Sequence, residues 1–327
     1  MSAVLTLSRA QAQAVWAHKA HLDGALTDPV AACAAAGWAR TLGGVDAWVA
    51  LRARAGALRR QAVDQALLDG RLAVVPAVRG CIYLVPGAQA ALAIRVAEDA
   101  ERGRMDRELA KVGLAEAELV AVADAALANL ARGPMGTDAL KKALPAGLLR
   151  PLVEVGKKVG ISSALPPTLR RLEWAGKIQR VLADGRLDSE RYLWRVTSGG
   201  GSGVPDSASA RLDAVVAYAL SVSGPLGLEP LAEWTGVGKR ALQASLKTLQ
   251  AVVVSVSDVE PEADVLPDDL PLLRDPPPPP ARPCQAGNRS NRPRLLTVPS
   301  GRIQPLPGDP HRRGEPASPG GRGSSSG

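Results

Sequence analysis

The sequence predicts a mainly helical protein with short β-hairpins, an α+β architecture. Three observations predict it. Apolar residues recur at helical spacing through most of the chain up to about residue 260, short β-branched runs follow several of these helices, and Gly, Pro and Ser clusters punctuate the segments. At 327 residues with 46% hydrophobic side chains, the chain can fill two or three cores of ordinary size.

In the first part, residues 46–54 and 60–68 read as helices, and 72–75 and 81–85 as β-runs flanking a turn at 77–80. Earlier helices around 11–21 and 29–40 would complete this unit. In the middle, 119–130 is amphipathic, Thr137 caps a short helix carrying Leu140, and Pro166-Pro167 opens a helix with Leu165, Leu169 and Leu172 on its core face. Gly176 ends that helix, and 178–182 with 192–196 form a hairpin around Asp184-Gly185. In the last part, Leu212, Val215, Val216 and Ala219 share one helix face, and Pro230 suits a helix start. Leu242, Leu246 and Leu249 then repeat at helical spacing before a β-branched run at 251–256.

Helices followed by a hairpin make a winged helix, so the expected architecture is three tandem winged-helix (helix-turn-helix) units: 1–100 with its N-terminal helices, 101–197, and 210–260. A Gly/Ser-rich linker at 198–209 separates the last two, and residues 261–327 read as a disordered Pro/Arg/Gly-rich tail.

The net charge of +8 points toward nucleic acid, but its location weakens the signal. Residues 276–327 hold eight Arg against two acids, leaving a body of net +2. With 3% aromatics and no Phe, a base-stacking platform for single strands is not expected. Duplex binding through backbone and grooves needs no such platform, so double-stranded DNA is the expected partner.

No apolar run is long enough to span a bilayer and the N-terminus lacks the pattern of a secretion signal, so no membrane partner and a cytoplasmic location are expected. Cys33, Cys81 and Cys284 are widely spaced, and His18 and His21 have no third ligand, so neither a disulfide framework nor a metal is expected. Lys157 and Lys158 sit in VGKKVGI, which lacks the spacing of a phosphate loop. No cofactor is expected either.

The candidate DNA-binding residues are polar side chains opposite the leucines and on the hairpins. In the last unit these are Lys239, Arg240, Gln243 and Lys247, an outward face without an acid. In the middle unit they are Arg170 and Arg171 on the third helix and Arg180, Arg186 and Arg191 on the hairpin, with Arg195 beside them. The segment 141–195 carries twelve basic residues and five acidic ones. The competing reading of each group is an ordinary solvated face.

Residues 42–86, LGGVDAWVALRARAGALRRQAVDQALLDGRLAVVPAVRGCIYLVP, resemble the winged-helix DNA-binding protein family that includes the bacterial alkylpurine and interstrand-crosslink DNA glycosylases. That family pairs a Gln-x-Gln or Gln-x-Asp motif with a helix ending in Ala-Arg, then a helix leading to Arg-Leu and a hairpin reading Arg-Gly-x-x-x-Leu-Val-Pro. Residues 52–54, 69–72 and 79–86 match these blocks, and the similarity extends to about residue 260. The resemblance implies a monofunctional glycosylase in which an acid, here Asp46, orients water and stabilises a cationic transition state. Gly44 stands where the family has its first Gln, and the segment from Asp46 to Arg54 is about two helical turns short of the family pattern. The competing reading, and the favoured one, is that Asp46 caps the helix that follows.

The family also has a further C-terminal domain; the Pro/Arg-rich tail stands in its place, as a change of reading frame or a truncation after about Pro271 would produce. The leading expectation is therefore a duplex-DNA-binding winged-helix protein. A monofunctional glycosylase for alkylated or crosslinked bases is the alternative, and a protein-interaction module is a third reading.

Overall fold

One order of elements occurs three times: a helix, a very short strand, two further helices and a two-stranded hairpin, with the short strand paired to the hairpin's second strand. The computed structural model describes residues 4–41, 45–187, 191–197 and 203–278. The candidate Gly44, part of the 198–209 linker, and the tail from 279 onward lie outside these described residues.

The chain enters through β1 (Thr6–Leu7) and α1 (Arg9–Lys19), which Ser8 starts by exchanging hydrogen bonds with Gln11. The first copy of the order is α2 (Pro29–Ala35), β2 (Ala39–Arg40), α3 (Val45–Arg54), α4 (Arg60–Leu68), β3 (Leu72–Pro76) and β4 (Ile82–Pro86), with strands in the order β2-β4-β3. Asp28 caps α2 by accepting from the Ala31 amide at 2.9 Å, and Pro29 fills the first helical position, where no amide is needed.

A helix not anticipated from the sequence follows, α5 (Ala90–Lys111), 22 residues long. The second copy is α6 (Glu116–Leu130), a bridge at Met135, α7 (Thr137–Ala143), an inserted α8 (Val153–Val159), α9 (Leu165–Trp174), and the hairpin β5 (Ile178–Leu182) with β6 (Tyr192–Val196). Thr137 is the first residue of α7 rather than its cap; its hydroxyl instead accepts from the Trp194 indole at 3.0 Å, fixing the hairpin against the helix. The third copy is α10 (Ala208–Ser223), β7 (Leu226–Gly227), α11 (Leu228–Thr235), α12 (Lys239–Thr248), β8 (Val252–Val256) and β9 (Glu260–Val265), ending in α13 (Leu270–Arg274).

Two boundaries differ from expectation. Residues 261–278 do not belong to a structureless tail: β9 completes the last hairpin with Ala263 and Val265 buried, and Leu273 of α13 is buried as well. Its alternating acids hide this strand, because only two of its six residues, Ala263 and Val265, are hydrophobic. The N-terminal helix, expected in the first unit, instead packs on the last. β1 pairs in parallel with β8, and Leu7, Ala12 and Val15 share a core with Val254, Val256 and Leu273. Lys19 locks this arrangement, its ammonium donating to the Leu220 carbonyl at 2.8 Å and to Asp269 at 2.6 Å.

The long helix α5 joins the three copies. Its first half, through Ala93 and Val96, shares a core with the first hairpin and with Val215, Leu220 and Leu242 of the third copy. Its second half, through Met105 and Leu109, enters the core of the second copy. Acids along α5 reach outward to all sides: Asp99 takes two hydrogen bonds from Arg211 at 2.7 and 2.8 Å, Glu98 pairs with Arg95 and Arg102, and Glu101 accepts from Arg170 at 2.6 Å. A helix charged around so much of its circumference lacks the single apolar stripe that announces an amphipathic helix in sequence.

Candidate nucleic-acid interface

The polar face of α12 is where the sequence places it. Leu242, Ser245 and Leu246 are buried, while Lys239, Arg240, Gln243 and Lys247 are exposed. Lys239 pairs with Glu229 of α11. The adjoining hairpin is different in character, for Glu260, Glu262 and Asp264 alternate along β9 and share the face opposite Ala263 and Val265. Burial and the neighbouring Glu262 push the Asp264 carboxyl up to about 6. A hairpin with that face does not attract phosphate, so in this copy the cationic surface is confined to the helix.

In the second copy the geometry corrects the expectation of an open, basic helix. Both arginines of α9 are engaged by acids of neighbouring helices: Arg170 meets Glu101 of α5, and Arg171 meets Glu116 of α6 at 2.7 Å. Arg180 also turns inward. Its guanidinium forms two hydrogen bonds to the buried Glu173 and lies 4.7 Å from the centre of the Trp194 ring. Helices α5 and α6 account for the first two residues, since their packing on α9 brings Glu101 of α5 to Arg170 and Glu116 of α6 to Arg171. Arg186 and Arg191, by contrast, are exposed near the hairpin tip, where Asp184 organises the loop by accepting from the Arg186 amide and the Arg191 guanidinium, each at 3.1 Å.

That hairpin tip does not stand in solvent alone. Leu187 is 5% exposed and inserts into the core of the first copy beside Ala47, Leu51, Val63 and Leu72. A cavity of about 180 Å³ remains there, lined by Val45 and Trp48 of α3, Arg60, Val63 and Asp64 of α4, and Leu187. Asp46 follows Val45 in the first turn of α3 and is not itself one of the residues that line this cavity. It is the second described residue of α3, where a carboxylate complements the partial positive charge of the helix N-terminus. The sequence assigned Asp46 and the hairpin arginines to separate units; the insertion of Leu187 brings their segments together.

Sequence reasoning passed over Trp48, Arg60, Asp64 and Leu187. The one available signal was Leu187 itself, a lone leucine in a loop otherwise made of charged and small polar residues. Arg54, the last residue of α3, is 7% exposed and donates to the Ala50 carbonyl at 2.9 Å; burial pulls its guanidinium down to about 10, still protonated at neutral pH. It supports the floor of α3 from beneath. Among the described residues no group of three or more His, Cys, Asp or Glu side chains could hold a metal ion, and no helix is long and apolar enough to cross a membrane.

The repeated helix-and-hairpin units are joined through α5. The family model described as DNA glycosylase AlkZ-like matches residues 45–297, and the chain belongs to that family. The match begins one residue before Asp46 and continues past Pro271. Among solved structures, Streptomyces sahachiroi DNA glycosylase AlkZ is similar with a TM-score of 0.64 and 17% identity, over 84% of this chain and 74% of that one. The likeness is one of fold. No curated protein sequence matches the chain.

Proposed function

We propose that this protein binds duplex DNA through winged-helix units and excises a modified base as a monofunctional glycosylase, with Asp46 at the reacting centre. The observation that carries the reading is that Val45, from the helical turn that holds Asp46, and Leu187, from the hairpin loop that carries Arg186 and Arg191, line one cavity. In each of the three copies a short strand or bridge joins the hairpin's far strand, which supports the winged-helix reading. Family membership supports action on DNA.

In this reading Arg186 and Arg191 hold phosphates flanking the lesion. Asp46 orients a water molecule toward the sugar carbon that carries the base, accepts its proton as the bond forms, and stabilises the cationic sugar as the base departs. No cofactor is needed for that hydrolysis. The test is incubation with duplex carrying N-alkylated or crosslinked purines, following release of free base. Release by the parent protein, lost by orders of magnitude in Asp46→Asn while damaged duplex still binds, is the expected result. Equal release by Asp46→Asn would remove Asp46 from the chemistry.

A second reading is favoured by one observation: Asp46 lies in a helical first turn, where an acid is stabilising without any catalytic task. The protein would then bind duplex DNA without excising a base. Absence of base release by the parent, with salt-dependent duplex binding intact, selects this reading.

A further inference from the structure

We propose that Arg79 of the first copy is a positioning residue for the cationic helix of the third: by holding the turn between α11 and α12, it fixes where Lys239, Arg240, Gln243 and Lys247 meet the duplex. The inference deepens the proposed function and rests on its duplex-binding part.

The contact is built from both sides. Helix α11 has no basic residue in its last turn. Its Glu233 carbonyl, among the last that a helix cannot pair internally, accepts instead from the Arg79 guanidinium at 3.1 Å. A cation there also complements the partial negative charge of the helix C-terminus. Gly236 ends α11 in the left-handed conformation, at φ +73°, and a Cβ added to it would come within 2.8 Å of the Arg79 Cγ. Bare backbone at 236 is what lets the arginine stem lie across the turn. The cationic face of α12 begins directly after that turn, at Lys239.

The first copy holds its side of the contact in strained backbone. Arg79 has φ +59°, a region that a long side chain seldom occupies and that persists only where the surroundings fix it. Trp38, at φ +61°, is the other such residue among those described in the first copy. It is buried, its indole donates to Gln89 at 2.6 Å, and its ring lies 5.9 Å from that of Trp234 of α11 and 5.4 Å from that of Tyr218 of α10. The Tyr218 hydroxyl donates back to the Ala34 carbonyl of α2 at 2.7 Å. Both left-handed residues of the first copy thus bear on α11, the helix that leads into α12. An orientation fixed before binding spares the ordering cost that a swinging helix incurs when its cations must line up with phosphates.

The test measures affinity for a dye-labelled duplex by fluorescence anisotropy at one salt concentration, in the parent, in Gly236→Asn and in Arg79→Gly. Asparagine tolerates the left-handed backbone, and its side chain displaces Arg79 while every cation of the protein remains. Glycine at 79 relieves the left-handed backbone as it deletes the contact, so the melting temperature is expected to hold. In the parent, Arg240→Ala with Lys247→Ala removes two charged contacts and should weaken binding roughly tenfold or more. In either variant background the same pair should cost no more than about twofold, because an α12 out of register has little left to lose. If Arg79 touched phosphate directly, or served stability alone, the pair would keep its full cost in Gly236→Asn; that result overturns the proposal. A parent that binds no duplex, or binds it equally well without Arg240 and Lys247, overturns instead the duplex binding on which the proposal rests.

Discussion

Glu173 of α9 and Arg180 of β5 are joined by two hydrogen bonds of 2.8 and 3.0 Å, with the Glu173 side chain only 1% exposed. Burial pushes that carboxyl up, and the guanidinium opposes the shift by pairing with it. Removing the cation strands the acid in a low-dielectric core. Arg180→Ala is therefore expected to cost about 3–5 kcal/mol, as broken buried pairs do, measured by urea denaturation. Replacing both partners, Glu173→Gln with Arg180→Met, should cost less than Arg180→Ala alone. A loss below about 1 kcal/mol for Arg180→Ala, in the range of exposed pairs, would return Arg180 to the list of groups available to DNA.

Gly80, in the Arg-Gly pair of the first hairpin, has φ +66°, and a Cβ added there would overlap the Glu101 carboxylate. Two penalties coincide, backbone strain and displacement of an acid already bound to Arg170. Gly80→Ala should lower stability by more than the ~1–2 kcal/mol of a left-handed residue alone. Gly113, at φ +64° with nothing near its would-be Cβ, isolates that backbone part. Equal melting temperatures for Gly80→Ala and Gly113→Ala would show that Glu101 simply moves aside.

The basic residues divide by what they touch. Arg240→Ala with Lys247→Ala, both on the exposed face of α12, should weaken duplex binding and reduce the log-log salt slope by about 1–2 units while the melting temperature holds. Arg170→Ala with Arg171→Ala should show the reverse, a lower melting temperature and little change in salt slope, because each guanidinium is engaged by an acid of a neighbouring helix. An unchanged slope for the α12 pair would mean that this face does not meet DNA.

Asp264 sets a pH dependence. Its folded-state carboxyl is raised to about 6, above the ordinary value of 3.8, by burial and then by Glu262. The folded state therefore holds the proton more tightly, so the stabilisation is fully present below about pH 4 and is lost as pH rises through 6. Asp264→Asn should raise stability at pH 7.5 by about 1–2 kcal/mol after allowance for solvent screening, and the gain should vanish near pH 4. A gain that persists unchanged at pH 4 would assign it to packing instead.

What the sequence determined by itself was local. Leucine spacing on α9 and α12, the proline pair opening α9, Gly176 following its end and the paired β-runs are signals carried by a few adjacent residues, and the helices and hairpins formed where those signals lie. The motif blocks at 52–54, 69–72 and 79–86 were likewise legible, and they pointed to the family that the chain belongs to.

Tertiary structure decided which surfaces remain surfaces. An exposed arginine and one buried against a glutamate of a distant helix have the same one-dimensional signature. Only the packing of α5 on α9 sent Arg170 to Glu101, and only the fold of the β5–β6 hairpin sent Arg180 to Glu173. Two-residue strands such as β2 and β7 carry no period of their own; their partners across the sheet define them. The cavity between α3 and α4 is the clearest case. Its walls come from α3, α4 and a leucine more than a hundred residues away, and no local pattern encodes that meeting, which arises because burying Leu187 in the first core removes its apolar surface from water.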